Sequence, residues 1–115
     1  MLKIAERHAQ DITVLDLSGQ LGFGFESQTL CNRVHQLVSG QVTRILLNLA
    51  GVTLIDSCGV AELISCLTAV KKVGGMLKLS GATTQVMDVL RITRVVKVLD
   101  HYESEQAALA SFVEP

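Results

Sequence analysis

The chain has 115 residues and one proline; 49% of its residues are hydrophobic, 18% charged and only 3% aromatic, and its net charge is −1. That supplies enough aliphatic material for one compact domain and argues against disorder. It gives no clustered basic face for nucleic acid and no run near the ~20 apolar residues that cross a bilayer.

The N-terminal stretch MLKIAERHAQ is charged and lacks the apolar segment of a signal peptide. Ile4 marks a short first strand, and Gln10-Asp11 reads as the turn after it. Residues 12–18, ITVLDLS, alternate as a strand with one buried face. Gly19, Gly22 and Gly24 then break regular structure. A helix is predicted from Glu26 to Val38, with Leu30, Val34, Leu37 and Val38 inward and Ser39-Gly40 as the stop. Ile45 to Leu49 is a near-continuous aliphatic run, the pattern of a central strand covered on both faces.

The second predicted helix spans Cys58 to Val73. Its apolar stripe is Val60, Leu63, Ile64, Leu67 and Val70, and Glu62, Ser65, Ala69 and Lys72 are expected to face solvent. Gly74-Gly75 ends it. Met76 to Ser80 reads as a strand, and Thr83 to Ile92 as a helix capped by Thr83 or Thr84. Val95 to Leu99 reads as a last strand, and Ser104 to Phe112 as a closing amphipathic helix. Strands and helices alternate from residue 44 onward, which favours a mostly parallel sheet with helices packed on it. The cysteines, Cys31, Cys58 and Cys66, are odd in number and lack CxxC spacing, which points to a reducing cytoplasm and to neither a disulfide framework nor a zinc site.

The densest chemistry is Asp56-Ser57-Cys58-Gly59, where the apolar strand meets the second helix. Asp and Ser are favoured N-caps, because a side-chain oxygen accepts the free amides of a first helical turn. Capping accounts for one of these residues and does not require all three polar ones. A nucleophilic Ser57 would call for small residues two positions to either side, as in the nucleophile elbow. Gly59 satisfies one side, but Ile55 stands on the other. The available bases, His8, His35 and His101, carry no motif around them. Cys58 has no arginine in a following phosphate-binding loop; a helix start does favour its thiolate. The glycines at 19, 22 and 24 match neither a dinucleotide nor a Walker loop. A third reading is modification. Phosphate on Ser57 would add a charge of about −1.5 to −2 at a helix start that favours anions, changing the surface while sparing the fold.

The stretch VTLIDSCGVAELISCLTAVKKVGGMLKLSG resembles the signature region of the STAS domain, in the branch of bacterial anti-sigma factor antagonists. The matching residues are Ile55, Asp56, Ser57, Cys58, Gly59 and Val60, then Lys72, Gly74 and Gly75. Ser18-Gly19-Gln20-Leu21, Ile45 to Leu49 and MDVLRITRVVKVLDHYESEQAALASF extend the likeness to about residues 4–112. The resemblance implies a single α/β STAS domain over residues 1–115, with a mixed, mostly parallel sheet of four to five strands and about four helices. It implies no catalysis, cofactor or metal, and a cytoplasmic location.

It also implies that Ser57 is phosphorylated by an anti-sigma factor with serine kinase activity. The unphosphorylated form binds that partner and frees a sigma factor, and a serine phosphatase resets the switch. Asp56 would orient the serine or help to hold the kinase's Mg²⁺, although capping alone also accounts for it. Glu62, Ser65, Ala69 and Lys72 are the candidate partner footprint. Gly22 departs from the polar residue usual in the family, and Phe23 and Phe25, beside it, either staple the next helix to the sheet or touch the partner. Cys58 stands where Ser or Ala is usual and would add redox sensitivity. The resemblance allows a weak homodimer, and no direct nucleic-acid binding or membrane insertion is expected. Single STAS domains also serve as scaffold subunits of stress-signalling assemblies and of lipid-transport complexes, which is the alternative reading.

Overall fold

Alternate side chains of the central aliphatic run feed two different cores. In the computed structural model, which describes residues 2–22 and 29–112, Ile45, Leu47 and Leu49 point to one face of a sheet and Leu46 to the other. That sheet has five strands: β1 (Leu2–Ala9), β2 (Ile12–Leu21), β3 (Arg44–Ile55), β4 (Met76–Ser80) and β5 (Asp100–Tyr102). They lie side by side in chain order, with β1 antiparallel to β2 and all other neighbours parallel. The helices are α1 (Thr29–Ser39), α2 (Ser57–Lys72), α3 (Thr84–Ile92) and α4 (Glu105–Ser111). The expected mixed, mostly parallel sheet of a single α/β domain is the observed one.

The larger core joins one sheet face to α1, α2 and α3 through Leu30, Val34, Leu63, Cys66, Val86 and Leu90. The opposite face is covered at one end only, where Ala108 and Phe112 of α4 meet Ile12, Val14 and Leu46. Lys78 points to this second face from within an apolar strand and is buried. Its ammonium donates to the carbonyl and hydroxyl of Ser111, both at 3.0 Å, and lies 5.1 Å from the centre of the Phe112 ring. A cation is thereby held where the last carbonyls of α4 need one. Beyond α4, Arg7 bridges Asp16 and Glu105, with 2.6 Å to Asp16 and 2.8 Å to Glu105, and Asn48 donates to Asp16 at 2.8 Å.

Several elements differ from the sequence expectation. The first strand runs the full eight residues of a hairpin rather than a short piece around Ile4. β2 continues past Ser18 to Leu21, because Gly19, at φ 102°, absorbs a bulge in its pairing with β3. β3 likewise continues from Leu49 to Ile55. Gly51 permits this, since a Cβ there would lie 2.8 Å from the Leu17 carbonyl. Val95–Leu99 is not a strand: Arg94 takes a left-handed φ of 63°, and Val95–Lys97 forms a 3-10 turn that buries Val95 and leaves Val96 and Val98 exposed. The last strand is the short β5 after it. α1 is described from Thr29, so the expected start at Glu26 lies outside the described residues.

The inward stripe of α2 is Gly59, Glu62, Leu63, Cys66, Leu67 and Val70 with Ala69 beside it, a spacing of three and four. Two candidate footprint residues are therefore not on the solvent side, since Glu62 is 5% exposed and Ala69 8%. Glu62 lies four positions before the fully buried Cys66 and Ala69 three after it, so both turn inward with it. Ile64, expected inward, is 40% exposed instead.

Candidate functional site

β3 ends at Ile55, and α2 begins two residues later, so Asp56 is the pivot of a strand-to-helix turn. Its backbone is extended, at φ −122°, and its Oδ1 accepts the Gly59 amide at 3.0 Å. This is the N-cap bond expected of Asp, and it completes the first turn without calling on the Ser57 hydroxyl. Ser57 and Cys58 are exposed, whereas Gly59 is buried.

Two glycines wall this turn. A Cβ on Gly59 would lie 2.3 Å from the Leu21 carbonyl, so only glycine lets α2 start this close to the end of β2. Gly22, at φ 105°, leaves its would-be Cβ position to the Asp56 carboxylate, which is 1.9 Å away. Any side chain at position 22 would collide with the capping group. Glycine at position 22 and the inward turn of Asp56 are therefore one arrangement. Phe23 and Phe25 lie outside the described residues.

The start of α1 stands alongside. Glu62, reaching from α2, accepts the Cys31 amide at 2.9 Å through Oε2, and so caps a second helix from outside it. Among the described residues its Oε1 is buried without a hydrogen-bond partner. Burial pushes the Glu62 carboxyl above the usual range, and the Cys31 and Leu30 amides pull it partly back. Burial likewise raises the Cys31 and Cys66 thiols, so neither is an activated nucleophile.

Cys31, Asn32 and His35 of α1 and Cys58, Ala61, Glu62 and Ser65 of α2 line an open groove of about 440 Å³. Of the predicted site residues, Cys58, Glu62 and Ser65 line this groove, and Asp56, Ser57 and Gly59 adjoin Cys58 at the start of α2. Lys72 is exposed but fifteen residues along α2 from Ser57, roughly 22 Å at 1.5 Å per residue. Asn32 and His35 were not singled out as site residues. Their signal was the 3.6-residue wheel of α1, which sets them opposite Leu30 and Val34.

Two of the three histidines are engaged away from Ser57, and the third, His35, lines the groove. His8 faces Glu6 at 3.3 Å, and His101 Nε2 accepts the Ala82 amide at 3.1 Å. Among those residues no group of three or more His, Cys, Asp or Glu could hold a metal ion, and no helix is long and apolar enough to cross a membrane.

The STAS domain family model matches residues 3–108. Among solved structures, a Thermotoga maritima protein proposed to be an anti-sigma factor antagonist superposes with a TM-score of 0.87 at 19% identity. The match covers 94% of this chain and 92% of that one. An anti-sigma factor antagonist from Mycobacterium paratuberculosis gives 0.83 at 15% identity, over 96% and 93% of the two chains. The Bacillus cell fate determinant SpoIIAA in its phosphorylated form gives 0.71 at 17%, over 96% and 100%. At these identities the likeness is one of fold. No curated protein matches the sequence significantly.

Proposed function

The chain belongs to the STAS domain family, and we propose that it is an anti-sigma factor antagonist whose switch is phosphorylation of Ser57. In this reading it has no catalysis of its own and works in the cytoplasm on the regulation of transcription. Unmodified, it binds an anti-sigma factor that is also a serine kinase. Phosphorylated, it is released, until a serine phosphatase restores the hydroxyl.

One observation carries the reading: Ser57 is exposed at the first position of α2 while Asp56 does the capping. The fold has no need of the Ser57 hydroxyl, so a kinase can take it without unfolding the helix start. The added charge of about −1.5 to −2 sits beside the Asp56 carboxylate, next to a groove whose lining includes no Lys or Arg. The helix start favours the anion only by about 0.3–1 kcal/mol, and an interface closed around a neutral hydroxyl would have to bury it. A penalty of only ~1.4 kcal/mol is tenfold in affinity. The footprint that fits this reading runs over Ser57, Cys58, Ala61 and Ser65, which are exposed along α2. Phe23 and Phe25 remain candidates for it.

The test uses wild type and Ser57→Asp as baits in lysate of the source cells, with captured proteins identified by mass spectrometry. Capture of an ATP-dependent serine kinase by wild type, and its loss with Ser57→Asp, is the expected result. Equal capture of a large stress-signalling assembly or a transporter ATPase by both baits would overturn the switch in favour of a scaffold subunit.

A further inference from the structure

β3, β4 and β5 run parallel, so α2 and α3, which connect them, both end where β4 and β5 begin. This pole carries apolar surface that no core uses. Among the described residues six large aliphatic side chains are exposed, and four of them, Val73, Ile92, Val96 and Val98, lie at or just beyond the ends of α2 and α3. Ile92 projects furthest, at 80% exposure. The left-handed turn at Arg94 sends Val95 inward and leaves Val96 and Val98 outside.

Cations stand among these aliphatics. Lys71 and Lys72 close α2, and Arg91, Arg94 and Lys97 are interleaved with the second group; all five are exposed. The segments 71–73 and 91–100 hold five of the chain's ten Lys and Arg but only one of its eleven Asp and Glu, Asp100. The net charge of −1 therefore conceals a basic pole and an acidic remainder. Lys71 and Val98 line one open groove with Leu67 and Asp100, which joins the two segments, far apart in sequence, into a single surface. Arg91 stands 3.8 Å from Asp88, and among the described residues Lys71, Lys72, Arg94 and Lys97 form no ion pair.

Terminal carbonyls explain cations at a helix end; they do not explain the exposed aliphatics set between them. Apolar tips among unpaired cations match an anionic lipid surface, which takes the tips at headgroup depth and the cations at its phosphates. Protein interfaces centre instead on aromatic and arginine anchors in desolvated pockets. Neither segment holds an aromatic residue, and Ile92 projects from the surface.

We propose that this pole is a membrane-docking surface. It adsorbs to a bilayer rich in anionic phospholipid through Ile92, Val96, Val98 and the cations around them, with no segment crossing the bilayer. Ser57 lies at the opposite end of α2, roughly 22 Å from Lys72 at 1.5 Å per residue, and stays open to a partner. The surface depends on its own side chains and stands whether or not Ser57 is ever phosphorylated.

The purified protein would be sedimented with vesicles of phosphatidylcholine and phosphatidylglycerol in equal parts, and with vesicles of phosphatidylcholine alone. Association with the anionic vesicles at low salt is expected, about tenfold weaker on the neutral ones and weakened by added salt. Lys97→Glu and Ile92→Ser should each lower it by about fivefold with unchanged thermal melts, because both side chains are exposed. The chain has no tryptophan, so Ile92→Trp adds a single reporter whose emission should move to the blue on the anionic vesicles alone. Absence of sedimentation with those vesicles at low salt overturns the proposal, and so does an unshifted tryptophan. A loss with Lys97→Glu and none with Ile92→Ser would overturn the role of the aliphatics. Binding to soluble poly-glutamate as tight as to the vesicles would overturn the lipid and assign the pole to an acidic polypeptide.

Discussion

Two helices begin within one small region of this molecule and are held in opposite ways. α2 is capped by its own preceding residue, Asp56, against a wall of two glycines, with its first side chains left to solvent. α1 receives Glu62 from a different helix, thirty-one residues away, and that carboxylate is buried. The local cap leaves the surface around it open, and the remote cap is buried in the seam between two helices. A group that spends its hydrogen bonds within its own turn leaves neighbours free for modification. A group that joins two elements is withdrawn from partners by the packing that places it.

Steric change at the local cap gives the largest expected effect. Gly59→Ala puts a methyl 2.3 Å from the Leu21 carbonyl, a backbone atom that moves only if β2 moves. Overpacking against backbone typically costs 1–3 kcal/mol, and the upper part, about 3 kcal/mol, is expected here. Urea denaturation would read it as a lowered midpoint at unchanged slope. A midpoint equal to wild type would mean that α2 can pull back from β2, and the glycine wall would then not set the position of Ser57.

The remote cap comes next. Glu62→Ala removes the acceptor of the Cys31 amide and leaves a gap in the seam, with an expected loss of about 2 kcal/mol. Glu62→Gln keeps an oxygen for that amide and is expected to lose much less. The two differ again in pH. Because burial raises the folded carboxyl above the ordinary glutamate value of 4.5, the folded chain holds this proton after the unfolded chain has released it. The contribution of Glu62 to stability is therefore fully present below pH ~4.5 and is lost as pH rises through the folded value. Glu62→Gln should flatten that part of the stability profile between acid and neutral pH. An unchanged profile would place the carboxyl in contact with water.

Asp56→Ala separates cap chemistry from sterics. It frees the Gly59 amide without disturbing the wall, and loss of an N-cap is worth about 1 kcal/mol. Asp56→Asn should recover most of it, since both residues accept the same bond. Equal melting temperatures for Asp56→Ala and wild type would show that another group has taken over the amide.

The same contrast explains what could be read from the sequence. Asp56, Thr83 and Ser104 each cap the helix that immediately follows, and a short polar residue before an apolar period announces this. The strand–helix alternation after residue 44 was legible for the same reason. What escaped is non-local. Glu62 and Ala69 look like solvent positions until Gly59, Cys66 and Val70 define the buried stripe, and Ile64, a good core residue by type, loses its place to them. Lys78 is anchored by Ser111, thirty-three residues on. Val95 to Leu99 has strand composition but follows Arg94, whose left-handed turn curls it into a 3-10 segment. β2 and β3 outran their aliphatic runs because Gly19, expected to break the strand, absorbs a bulge, and Gly51 permits a close approach.

The smallest expected effect is the sharpest for function. Ser57 is exposed, and the cap of α2 is supplied by its neighbour, so Ser57→Ala should change stability by less than about 0.5 kcal/mol. Ser57→Asp should be equally mild: a carboxylate in the first turn is favoured by the helix dipole by about 0.3–1 kcal/mol, and repulsion from Asp56 offsets part of that gain. Matching thermal melts for the two variants would mean that any difference in what they bind arises at the surface of α2 and not from the fold. A loss of more than about 1 kcal/mol in either would instead make Ser57 part of the cap, and the division between an open local start and a closed remote one would fail at the residue where it matters most.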